Sequence, residues 1–356
     1  MPPPSDKPAV VLHVGSGKTG TTSIQSFFRL NRGALADRGV LYPRSPGRAR
    51  HLKLALSFRS DDEYDAMPAW HQMRASTPPR FRRRFHRRLL DEVAEAHPHT
   101  VVFSDEAIYT LPDAGLERMR DFLAAHFGPV HLIAYVRRQD DHLVSYYQQQ
   151  VKVGETRRLA DFAEEPGYPY DYQRRLDELR SALQPDSMTV RRFESPRFVD
   201  GELEADFLHA AGIDPTGLQH GRLRNQSLDA TSVEFLRLYN LHLVAQGAAV
   251  GVVDHRDLVV QLEGRSTGDQ LTLSEAQLDR FMAQWDAPNA AVARAWFDDT
   301  ELFTAARRRS RVTEDQHIDG AHLEELMTVA DLSAEVRTAV RTIAERESDG
   351  GRAWTR

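Results

Sequence analysis

The chain has 356 residues, 41% of them hydrophobic and 28% charged, with a formal net charge of −6. That is the make-up of an ordinary globule, long for one domain and short for three. It carries no global basic field for nucleic acid or heparin-like polyanions. It has no cysteine, which excludes disulfides, thiolate zinc sites and cysteine nucleophiles.

Residues 1–8 are short, polar and proline-rich, without the apolar core of a signal peptide, and no apolar run approaches the length of a membrane span. A cytoplasmic location is expected. The mostly β-branched run 10–14 predicts a buried parallel strand. It breaks into Gly15, Ser16, Gly17, Lys18, Thr19, Gly20, Thr21 and Thr22, and Ser23 and Ile24 open an amphipathic helix running to about Leu35. A short strand is expected at 39–43, a basic loop at 44–50, a helix from His51, and a loop over 61–79. The run Arg80 to Arg88, R-F-R-R-R-F-H-R-R, has two readings. One is a track for a sulfated or phosphorylated polymer. The favoured one is the solvated face of a helix burying Phe81, Phe85, Leu89 and Val93.

Further strands are predicted at 100–103, 130–136 and 188–193, alternating with helices that include 172–183. That alternation argues for a parallel sheet wrapped on both faces. From Leu203 the pattern turns helical, with helices over 228–243, 274–296 and 320–345. The expected organisation is an α/β core over 1–225 and a helical C-terminal region over 226–356 packed on it as one structural unit. No His/Glu cluster points to a metal.

The stretch 9–24 carries the chemistry. Strand, glycine-rich turn and helix aim backbone N–H groups and a helix N-terminus at an anion. Lys18 adds a point charge, and Thr21 and Thr22 add hydroxyls. Lysine occurs only at 7, 18, 53 and 152, so Lys18 does not stand there through abundance. An ATP-type loop requires G-x-x-x-x-G-K-[ST]. Aligning G-K-T on Gly17, Lys18 and Thr19 puts Leu12 where the first glycine belongs. Aligning the glycines on Gly15 and Gly20 puts Thr21 where the lysine belongs. Neither register fits.

The spacing Lys-Thr-Gly-Thr-Thr instead resembles the 5′-phosphosulfate loop of sulfotransferases that use 3′-phosphoadenosine 5′-phosphosulfate (PAPS). G-S-G-K-T-G-T-T-S-I-Q is most similar to their bacterial branch. The resemblance implies a three-layer sheet of the P-loop type flanked by helices, with a helical C-terminal addition. It implies a cofactor site from Gly15, Gly17, Lys18, Thr19, Gly20, Thr21, Thr22 and Ser23. It also implies a 3′-phosphate site from an arginine after a strand and a serine in the next helix, here Arg137 and Ser145. The family's Arg-Asn-Pro is replaced by Arg137-Arg138-Gln139, which leaves open which arginine makes the contact. Phe193 stands where relatives place an aromatic against adenine, and Arg224, Asn225 and Ser227 where they have a late phosphate-binding segment.

The resemblance further implies metal-free sulfuryl transfer from PAPS to a hydroxyl of a carbohydrate or other natural product. Adenosine 3′,5′-bisphosphate (PAP) leaves, and Lys18 stabilises the bridging oxygen. The base is Glu106, two residues past Ser104 at a strand end, with His51 as the alternative. His13 and His142 read as packed and as exposed, respectively. Two other classes remain: an ATP-dependent small-molecule kinase, and a non-catalytic nucleotide-binding protein. Acceptor and oligomeric state are not encoded legibly.

Overall fold

The computed structural model describes residues 7–67, 70, 77–221, 227–249, 255–307 and 311–353. The chain divides into two compact units. One is drawn from 1–138, 169–223 and 285–305, the other from 139–168, 224–284 and 306–356.

The first unit is an α/β layer structure. Its five strands are β1 (Ala9–Gly15), β2 (Val40–Leu41), β3 (Thr100–Ser104), β4 (Val130–Val136) and β5 (Ser187–Arg192), all parallel, in the order β2-β3-β1-β4-β5. The central strands are apolar on both faces because helices cover both. On one face Val11, Ile133 and Tyr135 pack with Ile24 and Phe28 of helix Thr21–Leu30 and Phe207 of helix Leu203–Ala211. On the other, Phe103 meets Phe127 at 5.9 Å, at the end of helix Asp113–His126, which lies against helix Tyr172–Leu183. From β1 the chain leaves toward β2; from β4 it proceeds to β5 on the opposite side. The strand order therefore switches direction between β1 and β4, the place where open α/β sheets bind ligands, outside the strands' carboxyl ends.

The first helix stops at Leu30 and a separate turn of helix, Arg32–Ala36, follows. Helix Pro78–Ala96 starts on prolines, which suit its first turn, and buries Phe85 and Leu89 while Phe81 and Val93 are half-buried. The predicted helix 274–296 is two helices in different units. Glu275–Ala283, opened by a Ser274/Gln277 capping box, belongs to the second unit, and Asp286–Phe297 packs on Tyr172–Leu183 in the first. The predicted helix 320–345 is also broken, at Asp331, whose φ of +50° turns the backbone out of the right-handed spiral between Gly320–Val329 and Ala334–Ala353.

The second unit is helical apart from a two-strand parallel pair, β6 (Gln270–Leu271) and β7 (Val312–Thr313). Its centre holds a buried guanidinium: Arg237 bonds both Glu234 oxygens at 2.8 and 2.7 Å, Glu347 at 2.8 Å and the Thr156 carbonyl at 2.9 Å. A charge so enclosed is tolerable only with its donors satisfied. No described helix is long and apolar enough to cross a membrane.

Candidate functional site

β1 ends at Gly15 because the chain must turn there under two side chains. A Cβ on Gly15 would lie 2.5 Å from Thr21 Oγ1 and 2.7 Å from Thr19 Oγ1. The turn then takes three left-handed residues, Gly17 (φ 67°), Lys18 (φ 49°) and Gly20 (φ 71°). For the two glycines this is free. For lysine it is a strained backbone, of the kind that clusters where ligands are held. Gly20 is further fixed by its neighbours, since a Cβ there would collide with Leu203 and come within 3.0 Å of Phe193 Cε2.

Gly20 caps helix Thr21–Leu30 without any side-chain hydrogen bond, and no acidic residue stands in the first turn. The first intrahelical bond runs from the Ile24 amide to the Gly20 carbonyl at 3.1 Å. The amides of Gly20, Thr21, Thr22 and Ser23 meet no acceptor among the described residues. Buried in the same turn, the hydroxyls of Thr19 and Thr21 also meet no partner among the described residues. Leaving such groups dry and unbonded costs roughly 1–3 kcal/mol each. An oxyanion would satisfy them together, with the helix dipole adding to the attraction. Thr22 is exposed, Ser23 half-buried, and the Lys18 side chain projects to the surface.

Across the switch point, β4 pairs Tyr135 with Gly15, so Arg137 emerges beside the turn. Its Nη1 donates to the Lys18 carbonyl at 2.8 Å, and its guanidinium lies 5.7 Å from the centre of the Phe193 ring. The Tyr172 hydroxyl holds the Arg137 carbonyl at 2.5 Å. The structure thus brings Lys18, Gly20, Arg137 and Phe193 together. Arg138 turns elsewhere and donates to the Ala305 carbonyl at 2.9 Å. Ser145 belongs to the second unit, where its hydroxyl donates to the Asp141 carbonyl at 3.0 Å on its own helix, Gln139–Val151. Arg224 and Asn225 lie outside the described residues.

On the other flank of β1, His13 pairs with Ser104, so the residues after β3 also meet the turn. Here most buried polar groups are bonded, although His13 Nε2 meets no partner among the described residues. Asp105 is fully buried; it accepts from the Ala107 amide at 2.7 Å and from Arg50 Nε at 2.9 Å. Burial pushes its carboxyl up to about 6, an effect that Arg50 opposes and Glu106 reinforces. Arg50 Nη1 reaches Glu106 Oε1 at 3.1 Å, and one third of the Glu106 side chain is exposed. Glu106 is thus oriented by a guanidinium and open to an incoming group.

His51 does not share that exposure. It is fully buried and stacked on Tyr42 at 4.2 Å. Its Nε2 lies 3.0 Å from the Pro43 carbonyl, and its Nδ1 accepts from the Ser104 amide at 3.3 Å. Burial first, then the charge of Arg32, depresses its pKa to about 3, against a small opposing effect of the Pro43 bond. With both nitrogens engaged, His51 has no lone pair to offer an acceptor hydroxyl. His13 is buried as expected, its Nδ1 2.8 Å from Ser104 Oγ. His142 is buried as well, contrary to the exposed position expected for it, 4.4 Å from the ring of Tyr168.

Arg50 and Asp105 were not singled out in the sequence. Arginine is common in this chain, and their pairing bridges fifty-five positions; only the acidic doublet after a strand hinted at it.

No known family model matches the chain. It is similar to an uncharacterized protein of Archaeoglobus fulgidus, 27% identical over 205 residues that make up 57% of this chain and 55% of that one. No solved structure matches.

Proposed function

We propose that the protein transfers a sulfuryl group from PAPS to a hydroxyl acceptor on a P-loop-type sheet core to which the helical unit is an addition. The observation that carries this reading is the Arg137 contact with the Lys18 carbonyl, beside a turn in which the amides of Gly20 to Ser23 and the hydroxyls of Thr19 and Thr21 meet no acceptor among the described residues. A guanidinium next to an anion-gripping turn suits a nucleotide with phosphates at two positions, because planar bidentate donors favour a terminal phosphate.

In this reading the amides of Gly20 to Ser23 and the hydroxyls of Thr19 and Thr21 hold the 5′-phosphate. Arg137 holds the 3′-phosphate, and Phe193 offers its ring to adenine. The acceptor hydroxyl attacks sulfur in line. As the new O–S bond forms, the O–S bond to the 5′-phosphate breaks, and its electron pair leaves on PAP. Lys18 stabilises that departing charge, and Glu106 takes the hydroxyl proton. Positioning and charge stabilisation do most of the work, as in phosphoryl transfer. Arg50, 3.1 Å from Glu106 Oε1, orients that carboxylate.

The test supplies the full chain with ³⁵S-labelled PAPS and a panel of phenols, monosaccharides and polysaccharides, with EDTA present. Label transfer that disappears in Lys18→Ala supports the proposal. Magnesium-dependent transfer from γ-labelled ATP to the same panel, with none from PAPS, overturns it in favour of a kinase.

A further inference from the structure

Helix Pro78–Ala96 carries charge that the sulfuryl-transfer site does not use. Arg80, Arg83, Arg84, Arg87 and Arg88 are all exposed, and their spacing of three and four places them on one face over about 12 Å. None of the five forms an ion pair among the described residues. Arg82, which leaves that stripe, does pair, with Asp61. The acids one turn on do not neutralise the stripe. The Glu92 carboxylate is occupied by the Arg44 amide at 2.6 Å and the Ser45 amide at 2.8 Å, and Asp91 forms no ion pair among the described residues. Half-buried Lys53 lies close enough that Arg88 and Arg84, after burial itself, hold its ammonium below the usual lysine range. Six cations therefore crowd one surface of a chain whose net charge is −6, repelling one another at every i,i+3 and i,i+4 step.

We infer that this arginine face is a docking surface for an anionic polysaccharide. Charge complementarity demands a polyanion, and the surroundings select its kind. A groove for single-stranded nucleic acid interleaves its cations with stacking aromatics. Here the aromatics of the helix turn inward: Phe85 is buried, and Phe81 stacks on it at 6.0 Å and meets Trp70 at 5.5 Å. A membrane-surface helix must sink an apolar face into lipid, and the apolar face of this one, with Phe85 and Leu89, is committed to the core. That favours a flexible polymer with anionic groups and no bases, and the duplex in the experiment below tests the alternative.

The surface leads toward the candidate base. Glu92 ties the start of the loop 44–50 to this helix, the Lys53 amide holds the Pro46 carbonyl at 3.2 Å, and the loop ends at Arg50 on Glu106. That the bound polymer is also the acceptor rests on the sulfuryl-transfer reading; the docking surface itself does not.

The experiment measures binding of the full chain to dextran sulfate, neutral dextran, a DNA duplex and phosphatidylserine vesicles at about 150 mM salt, each also with the triple variant Arg84→Ser/Arg87→Ser/Arg88→Ser. The expected result is binding to dextran sulfate that weakens steeply with added salt and falls at least tenfold in the variant, whose affinity for PAP is unchanged. Equal binding to neutral dextran, tighter binding to DNA or vesicles, or a variant that binds dextran sulfate like wild type would overturn it. Dextran sulfate binding that survives in Lys18→Ala supports the surface even where sulfuryl transfer fails, which separates the two proposals.

Discussion

The two flanks of β1 make opposite use of their polar groups. On the β4 side, the turn at 15–23 has amides of a helix N-terminus and two buried threonine hydroxyls that meet no acceptor among the described residues, and the Arg137 guanidinium reaches in. On the β3 side, His51, Ser104 and Asp105 are as deeply buried, yet Pro43, Arg50 and the Ala107 amide engage them. Both corners stand at carboxyl ends of the same sheet, so position alone does not distinguish a site. Unsatisfied donors do: the turn keeps groups for a ligand to complete, whereas His51, Ser104 and Asp105 serve the fold, and of that corner Glu106 stands open.

Four changes sharpen or break that contrast. The largest effect is expected from Lys18→Ala. Turnover should fall about 100- to 1,000-fold, as when one preorganised charge-stabilising donor is removed, while the denaturation midpoint stays put, because the side chain is exposed. A parallel loss of stability would make Lys18 part of the fold. Next comes Gly20→Ala, which forces a left-handed alanine onto Leu203 and Phe193. Urea unfolding should show a loss of about 3 kcal/mol, and a near-neutral result would mean that the turn is looser than described.

His51→Ala should lose about 2 kcal/mol of stability through two hydrogen bonds and the Tyr42 stack, with turnover of the folded protein unchanged. A hundredfold drop in kcat at full stability would return His51 to the list of bases. The smallest effect concerns pH. The carboxyl of Asp105 is raised by folding to about 6, so its contribution to stability is complete below the unfolded value near 4 and is lost as pH rises through 6. Stability measured from pH 4 to 7 should therefore decline by on the order of 1–2 kcal/mol more in wild type than in Asp105→Asn. Identical slopes would show that Arg50 offsets the burial entirely.

Much of this was readable before folding. The apolar β-branched runs located β1, β3, β4 and β5 to within a residue or so, because central parallel strands leave little room for polar residues. The glycine and threonine spacing placed the turn, since only glycine tolerates the conformation at Gly20 and the closeness of Thr19 and Thr21 at Gly15. The order of strands, the passage of 139–168 and 285–305 between units, and the breaks at Trp285 and Asp331 were not legible. Each depends on partners distant in sequence or on a single backbone angle. Glu106 was visible as a carboxylate at a strand end. That Arg50 orients it, and that Pro43 and Ser104 close His51, are facts of tertiary contact that no local pattern encodes.

The central claim is that one nucleotide is held at both of its phosphate-bearing ends, by the turn after β1 and by Arg137. Isothermal calorimetry of the full chain with PAP and with ADP, repeated on Arg137→Ala, tests it most directly. The account expects wild type to bind PAP at least tenfold more tightly than ADP, and Arg137→Ala to erase that preference while still binding ADP. Equal affinity for the two nucleotides in wild type, or a preference for PAP that survives in Arg137→Ala, would contradict it.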